Sequence, residues 1–316
     1  MRHLQLIAVY ALMLILLVHH SPAVGGAAGE RTLHPAMTMG NGPGVILYSV
    51  SGISADRWNN VYVSDILDYA VKKFNPSGAF VARVGRRGTG PGEFRNPALS
   101  IVVGEKLLVL QTTVNRIQVF DTSLAYRNGF AVQGGMPVDM APLAPEGVAI
   151  ALYSDTARAA LLLYDSPESR APRRIHLKPT GKKHPLYGAV RMSVSPEGAF
   201  VIAYLFLNRV EIYSRRGSLI RRFSLGALGG EEIDDGQVPE RTFFRKVIVD
   251  RSRRILLLGG NRAPHPGRDL FVCSMKGSLL RTFLLPFRTR TIAPGEHDTF
   301  YATDEGGTCV GKYDIR

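Results

Sequence analysis

After residue 30 the chain repeats one short pattern of apolar and polar positions. An apolar segment is followed by a polar gap and then by a second apolar segment, which ends in a large side chain and a turn. Val61-Tyr62-Val63 leads through Ser64-Asp65 to Val71-Lys72-Lys73-Phe74, and Leu107-Leu108-Val109-Leu110 leads to Ile117-Gln118-Val119-Phe120. Further copies pair Val148 to Leu152 with Leu161 to Tyr164, and Phe200 to Tyr204 with Val210 to Tyr213. The last two pair Ile255 to Leu258 with Leu270 to Cys273, and Phe300 to Ala302 with Val310 to Tyr313. The segments are too short for helices, are rich in Val, Ile, Leu, Phe and Tyr, and are bounded by turns such as Asn75-Pro76-Ser77-Gly78 and Met275-Lys276-Gly277-Ser278, so they read as strands.

Taking Phe74, Phe120, Tyr164, Tyr213, Cys273 and Tyr313 as equivalent gives spacings of 46, 44, 49, 60 and 40 residues. That period fits one four-stranded blade of a propeller, because a further strand follows each turn, as in Phe80 to Val84, Leu219 to Phe223 and Leu279 to Phe283. The expected fold is therefore all-β, a six-bladed β-propeller with four antiparallel strands per blade and blade boundaries near residues 45, 97, 136, 187, 242 and 288. The sixth copy stops after its third strand. A spare segment at 31–39 precedes Gly40-Asn41-Gly42-Pro43-Gly44, which repeats the connector at Gly88 to Gly92. It is expected to supply the outer strand of blade 6 and so close the ring, since an open ring leaves strand edges unpaired.

Asn115-Arg116-Ile117-Gln118-Val119-Phe120 and Asn208-Arg209-Val210-Glu211-Ile212-Tyr213 resemble the core of an NHL repeat. The glycine-rich stretch from Gly85 to Pro97 is similar to the connector that precedes the innermost strand in that family. The motif is clear in blades 1, 2 and 4; blades 3, 5 and 6 lack the Asn-Arg pair. The resemblance implies six blades. Propellers of this kind include calcium-dependent lactonases and zinc-dependent lyases, as well as intracellular members that bind RNA.

Residues 1–29 carry Arg2 and His3, an apolar run from Leu4 to Val18, and small residues from Ala23 to Gly29. That order reads as a signal peptide or an uncleaved N-terminal anchor, leaving 30–316 as the propeller domain. The expected location is the periplasm or the extracellular space, with the membrane touched only through that segment. Only Cys273 and Cys309 are present; their heights in neighbouring repeats do not match, so two free thiols are expected rather than a disulfide.

The formal net charge is +13, and the cations cluster. Connectors between blades share a face, the top face, with the turns between second and third strands, and such loops carry function on a rigid frame. There lie Arg86 and Arg95, then Arg262, His265 and Arg268 in the long loop 259–269. Arg191, Arg245, Lys246 and Arg290 begin inner strands that line the central channel. Clustered cations in a concave mouth focus potential on an anion, and a guanidinium suits carboxylate, sulfate or phosphate; the other reading is a solvated basic surface, partly balanced by Glu231, Glu232, Asp234, Asp235 and Glu240 in the loop before blade 5. The expectation is an exported, non-catalytic, monomeric binding propeller whose ligand is anionic, a glycan or a protein partner, with no cofactor. Nucleic acid is disfavoured, since the loops carry no run of aromatics on which bases could stack.

The alternative is a calcium- or zinc-dependent hydrolase or lyase on the top face. Calcium would draw oxygens from Asp65, Asn115, Asp155, Asn208, Asn261 and Asp304, one per blade, a regularity that favours turn caps. Zinc would need a third ligand beside His184 and His265. No nucleophile motif is present, so no catalytic residue is assigned. Trp58 and the charged turn from Asp250 to Arg254 fall on the opposite, bottom face, where packing and solvation respectively are expected.

Overall fold

A computed structural model describes residues 31–40, 42, 44–153, 159–169, 171–230 and 236–316; the segment 1–29, read above as a signal peptide or anchor, lies outside them. The chain begins with two short strands, β1 (Arg31–Thr32) and β2 (Met37–Met39), then builds the blades in sequence order. Blade 1 holds β3 (Val50–Ala55), β4 (Val61–Asp65), β5 (Ala70–Phe74) and β6 (Phe80–Val84), and blade 2 holds β7 (Pro97–Val103), β8 (Lys106–Gln111), β9 (Arg116–Asp121) and β10 (Tyr126–Ala131). Blade 3 follows with β11 (Met136–Leu143), β12 (Gly147–Tyr153), β13 (Ala160–Tyr164) and β14 (Arg173–His176), and blade 4 with β15 (Val190–Val194), β16 (Phe200–Tyr204), β17 (Val210–Tyr213) and β18 (Leu219–Phe223). Blade 5 comprises β19 (Phe244–Val249), β20 (Arg254–Gly259), β21 (Asp269–Ser274) and β22 (Leu279–Leu284); blade 6 comprises β23 (Thr289–Pro294), β24 (Thr299–Asp304), β25 (Val310–Asp314) and, on its outer edge, β2. The strands within a blade pair antiparallel. The six first strands β3, β7, β11, β15, β19 and β23 touch in a closed ring, so the fold is the expected six-bladed propeller.

Middle strands such as β4 and β12 are buried along their whole length, whereas the fourth strand β6 alternates half-buried and exposed positions. This follows from blade stacking: both faces of a blade's middle are covered by its neighbours, while its rim meets water. The core accordingly divides into six apolar clusters, one at each blade interface. At about 25 cal/mol per Å² of apolar surface removed from water, these interfaces are the main stabilising contribution. Both cysteines are free, Cys273 buried in the cluster between blades 4 and 5.

The ring closes as expected through β2, whose Met37 to Met39 pair with Lys312 to Val310 of β25. The whole 31–39 segment does not join that blade, however. Arg31 and Thr32 pair in parallel with Phe283 and Leu284, adding a fifth strand to blade 5. Pro35 separates the two strands, since a proline has no N–H to give to a ladder, and Leu33 between them is buried in the core of blades 5 and 6. The seam is fastened again on the top face, where the Val50 N–H of blade 1 donates to the Gly307 carbonyl of blade 6 at 2.8 Å. Gly307 has φ +71° and a Cβ there would lie 2.4 Å from the Val50 nitrogen, so only glycine fits.

Two bottom-face expectations need correction. Trp58 is half-exposed with the Arg57 guanidinium 4.2 Å above its ring, rather than packed beneath the blade. Nor is the Asp250 to Arg254 turn simply solvated: Asp250 is buried, receives Arg254 Nε at 2.7 Å and caps the Arg254 N–H, while Arg254 reaches Asp298 in blade 6 at 2.6 Å.

Candidate functional site

The central channel forms two chambers that meet at Leu99, Lys246 and Thr291. The lower one, about 400 Å³, is bounded by the far ends of the inner strands and by bottom-face turns. The upper one, about 210 Å³, opens among the top-face loops, with Asn96 and Thr242 from connectors and Ile66, Thr112, Leu205 and Phe206 from turns between second and third strands.

Arg191, Arg245, Lys246 and Arg290 all line this upper chamber. Three of them repeat one arrangement. Arg191 of blade 4 donates through Nε to the Arg245 carbonyl of blade 5 at 3.2 Å; Arg245 donates to the Thr289 carbonyl of blade 6 at 3.2 Å; Arg290 donates to Ser49 Oγ, on the approach to blade 1, at 2.7 Å. Each guanidinium therefore hooks the start of the next inner strand and is held at the chamber wall. The fixed position comes from the sequence, because each arginine stands at the first or second residue of a strand whose neighbours are buried.

Lys246 is different. Its Nζ meets both oxygens of Asp139 on β11 at 2.6 and 2.8 Å, bridging blades 5 and 3, and Asp139 also accepts the Met140 and Met192 N–H groups. That lysine is fully answered. The arginines are not. Arg245, only 7% exposed, has Glu305 no closer than 3.9 Å, and Arg288 shares the same carboxylate at 3.3 Å. Burial lowers the affinity of the Arg245 guanidinium for its proton, and the neighbouring Arg288 and Arg290 push it further down while Glu305 opposes. Burial likewise lowers that of Arg290, against Asp304 and Glu305. Both remain charged at neutral pH, since arginine starts far above it.

The remaining expected site residues do not enter the chamber's lining. Arg86 is exposed and paired with Glu93 at 2.8 Å, and Arg95 is exposed in the same connector. Arg262 and His265 belong to the long top loop; the His265 ring meets Asp269 Oδ1 at 3.0 Å, and Arg268 Nε donates to the Leu285 carbonyl at 2.9 Å. That loop folds inward over the site: the Thr289 N–H donates to the Gly267 carbonyl, and Gly267, at φ +72°, lies so close that a Cβ would sit 3.1 Å from the Arg245 guanidinium. The sequence reading missed Asp139, Glu305 and Ser49. Asp139, a carboxylate inside a buried strand, was the one with a visible signal, since such a group must be paired.

The proposed calcium donors serve as braces where they are described. Asp65 accepts the Tyr48 and Ser49 N–H groups and the buried Lys72 ammonium, Asn208 is bonded to Leu225 and Gly229, Asn261 to Thr242, and Asp304 to Thr308 and Cys309. Asn115 holds a left-handed turn at φ 47°, and Asp155 lies outside the described residues. His184 accepts the Leu186 N–H through Nδ1. Among the described residues no group of three or more His, Cys, Asp or Glu side chains gathers as a metal site would require, and no helix is long and apolar enough to cross a membrane.

No protein-family model matches the chain, and no curated protein matches it by sequence. Solved structures do. The chain is similar to a virginiamycin B lyase from Staphylococcus aureus (9% identity, 90% of this chain and 89% of that one, TM-score 0.53) and to a gluconolactonase from Xanthomonas campestris (12% identity, 95% and 99%, TM-score 0.57). It is also similar to BamB from Moraxella catarrhalis (10% identity, 90% and 100%, TM-score 0.50). At such identities the likeness is one of fold: a lyase, a lactonase and BamB share this architecture, and activity has to be argued from the site itself.

Proposed function

We propose that the protein is a non-catalytic binding propeller, acting outside the cytoplasm, that takes an anionic ligand in the upper chamber of its channel. The observation that carries this reading is the charge imbalance there. Arg191, Arg245 and Arg290 line the site with Arg288 beside Arg245, and among the described residues Asp304 and Glu305 are the carboxylates that act against them, Lys246 being neutralised by Asp139. A buried cation is costly without a partner, and a bound anion supplies one. Arg191 and Arg245 are already hooked to backbone carbonyls and Arg290 to Ser49 Oγ, so little side-chain freedom is lost on binding. The long top loop, which adds little closure cost, covers one side of the mouth.

The test is binding to anionic glycans, phosphorylated polymers and acidic peptides at low and high salt. The native protein is compared with the Arg191→Gln, Arg245→Gln, Arg290→Gln variant, in which each glutamine removes the charge and keeps an N–H donor. Binding should weaken as the Debye length falls from about 10 Å at 0.1 M salt to about 3 Å at 1 M, and should be lost in the variant. Binding that survives neutralisation would remove the site.

A further inference from the structure

The surroundings of the arginines say what kind of anion fits, a step that rests on the anion-binding reading above. Apart from the cations, much of the upper chamber is hydrocarbon: Ile66, Leu99, Val138, Leu205 and Phe206 line it. Moreover, the segments flanking Ile66 and Ser49, which touch the chamber, carry exposed apolar side chains. Ile46 is 61% exposed, Tyr48 50% and Leu67 64%, Leu67 and Ile46 being the two most exposed large apolar side chains among the described residues. The two segments that bear them are held side by side. The connector bearing Ile46 and Tyr48 is tied to the β4–β5 turn bearing Leu67, because Asp65 accepts the Tyr48 and Ser49 N–H groups, the Ile66 N–H donates to the Ser49 carbonyl, and Lys72 donates to the Ile46 carbonyl. Those segments adjoin the site, since Ile66 lines the chamber and Ser49 receives Arg290.

We infer that the ligand is an amphipathic anion, with a carboxylate or sulfonate-type head held among Arg191, Arg245 and Arg290 and an apolar body running along Ile66 onto Ile46, Tyr48 and Leu67. Besides the cations, the same lining offers a polyhydroxylated ligand two unpartnered side-chain atoms, Asn96 Oδ1 and Thr112 Oγ1, fewer than its hydroxyl groups would need. Asp139 and Lys246 satisfy each other, and Ser51 already donates to the Pro97 carbonyl at 3.2 Å. An apolar body gains from leaving water, whereas a hydroxylated one would lose more hydrogen bonds to water than Asn96 and Thr112 replace. Exposed apolar surface beside a binding cleft is the usual mark of such a contact.

The experiment is calorimetric titration of the full chain with acetate, butanoate and hexanoate. Methanesulfonate and hexanesulfonate form a second head-group series, gluconate is a six-carbon hydroxylated anion of equal charge, and hexanamide is a neutral control. Each fully buried methylene tightens binding by about fourfold, so hexanoate should bind at least about tenfold more tightly than acetate, with the sulfonates following the same order. Gluconate should bind no better than acetate, and hexanamide should not bind. In an Ile46→Ser, Leu67→Ser variant the rise with chain length should flatten while acetate affinity stays unchanged; an unchanged unfolding midpoint shows that the variant is folded. A flat series, gluconate matching hexanoate, or a chain-length effect untouched in the Ile46→Ser, Leu67→Ser variant would overturn the amphipathic ligand while leaving the anion site standing. If neither acetate nor methanesulfonate binds, the anion site itself fails, and this inference with it.

Discussion

Arg245 and Asp139 are both buried charges at the channel mouth, yet their surroundings give opposite expectations. Asp139 is met by Lys246 and by two backbone N–H groups. Asp139→Asn would place an amide N–H2 against those donors and leave Lys246 without its counter-charge, so stability measured by urea unfolding should fall by about 3 to 5 kcal/mol. Arg245→Met removes one bond to a carbonyl and the distant attraction to Glu305, and relieves repulsion from Arg288 and Arg290; its cost in the same measurement should stay at about 1 kcal/mol, while anion binding is lost. A large destabilisation by Arg245→Met would mean that the arginine serves the fold rather than a ligand. At this scale the sequence showed the cations, because Arg191, Arg245, Lys246 and Arg290 each stand at the start of an inner strand. It hid their partners. Lys246 and Asp139 lie 107 residues apart on blades that are not adjacent, and no local pattern pairs them.

Turns and strands were more legible, because the devices that make them are local. Asn75 caps the Ser77 and Ala79 N–H groups, Asp121 caps those of Ser123 and Ala125, and Ser214 and Ser274 cap the N–H four residues on, so one side chain fixes the same hairpin in four blades. These are the turn residues expected from composition. In Asp121 the hydrogen bond from Ser123, with those of Ala125 and Arg127, holds the carboxyl down to about 2 against burial, which acts the other way. A carboxylate depressed in the folded state contributes stability above its unfolded pKa of about 3.9. That contribution is lost as pH falls toward 2. Asp121→Asn keeps the cap, as Asn75 does, and removes the titration. The urea-midpoint gap between native protein and variant should therefore shrink between pH 5 and pH 2.5, and a gap independent of pH would refute the assignment. The division of 31–39 between two blades was not legible, since β1 pairs in parallel over only two residues and has no alternation to read. Deleting residues up to 39 bares the edges of β22 and β25 and removes Leu33 from the core. The shortened protein should unfold at a lower midpoint and aggregate, and an unchanged midpoint would deny β1 and β2 their closing role.

Across the whole molecule, the period of the apolar pattern sufficed for six blades because each blade buries both faces against its neighbours and so must repeat. Function has no such repetition. The cations of blades 4 to 6 gather on one side of the channel, and hydrocarbon from blades 1 to 4 faces them, an asymmetry visible only once the ring has closed. The central claim is that an anion sits among Arg191, Arg245 and Arg290, and locating one is the direct test. Crystals soaked in selenate at moderate ionic strength should give an anomalous difference peak in the upper chamber, within hydrogen-bonding distance of those three guanidinium groups and absent in the Arg245→Gln variant. Selenate found only on exposed surface arginines such as Arg86 and Arg95, with the chamber empty, would contradict the account.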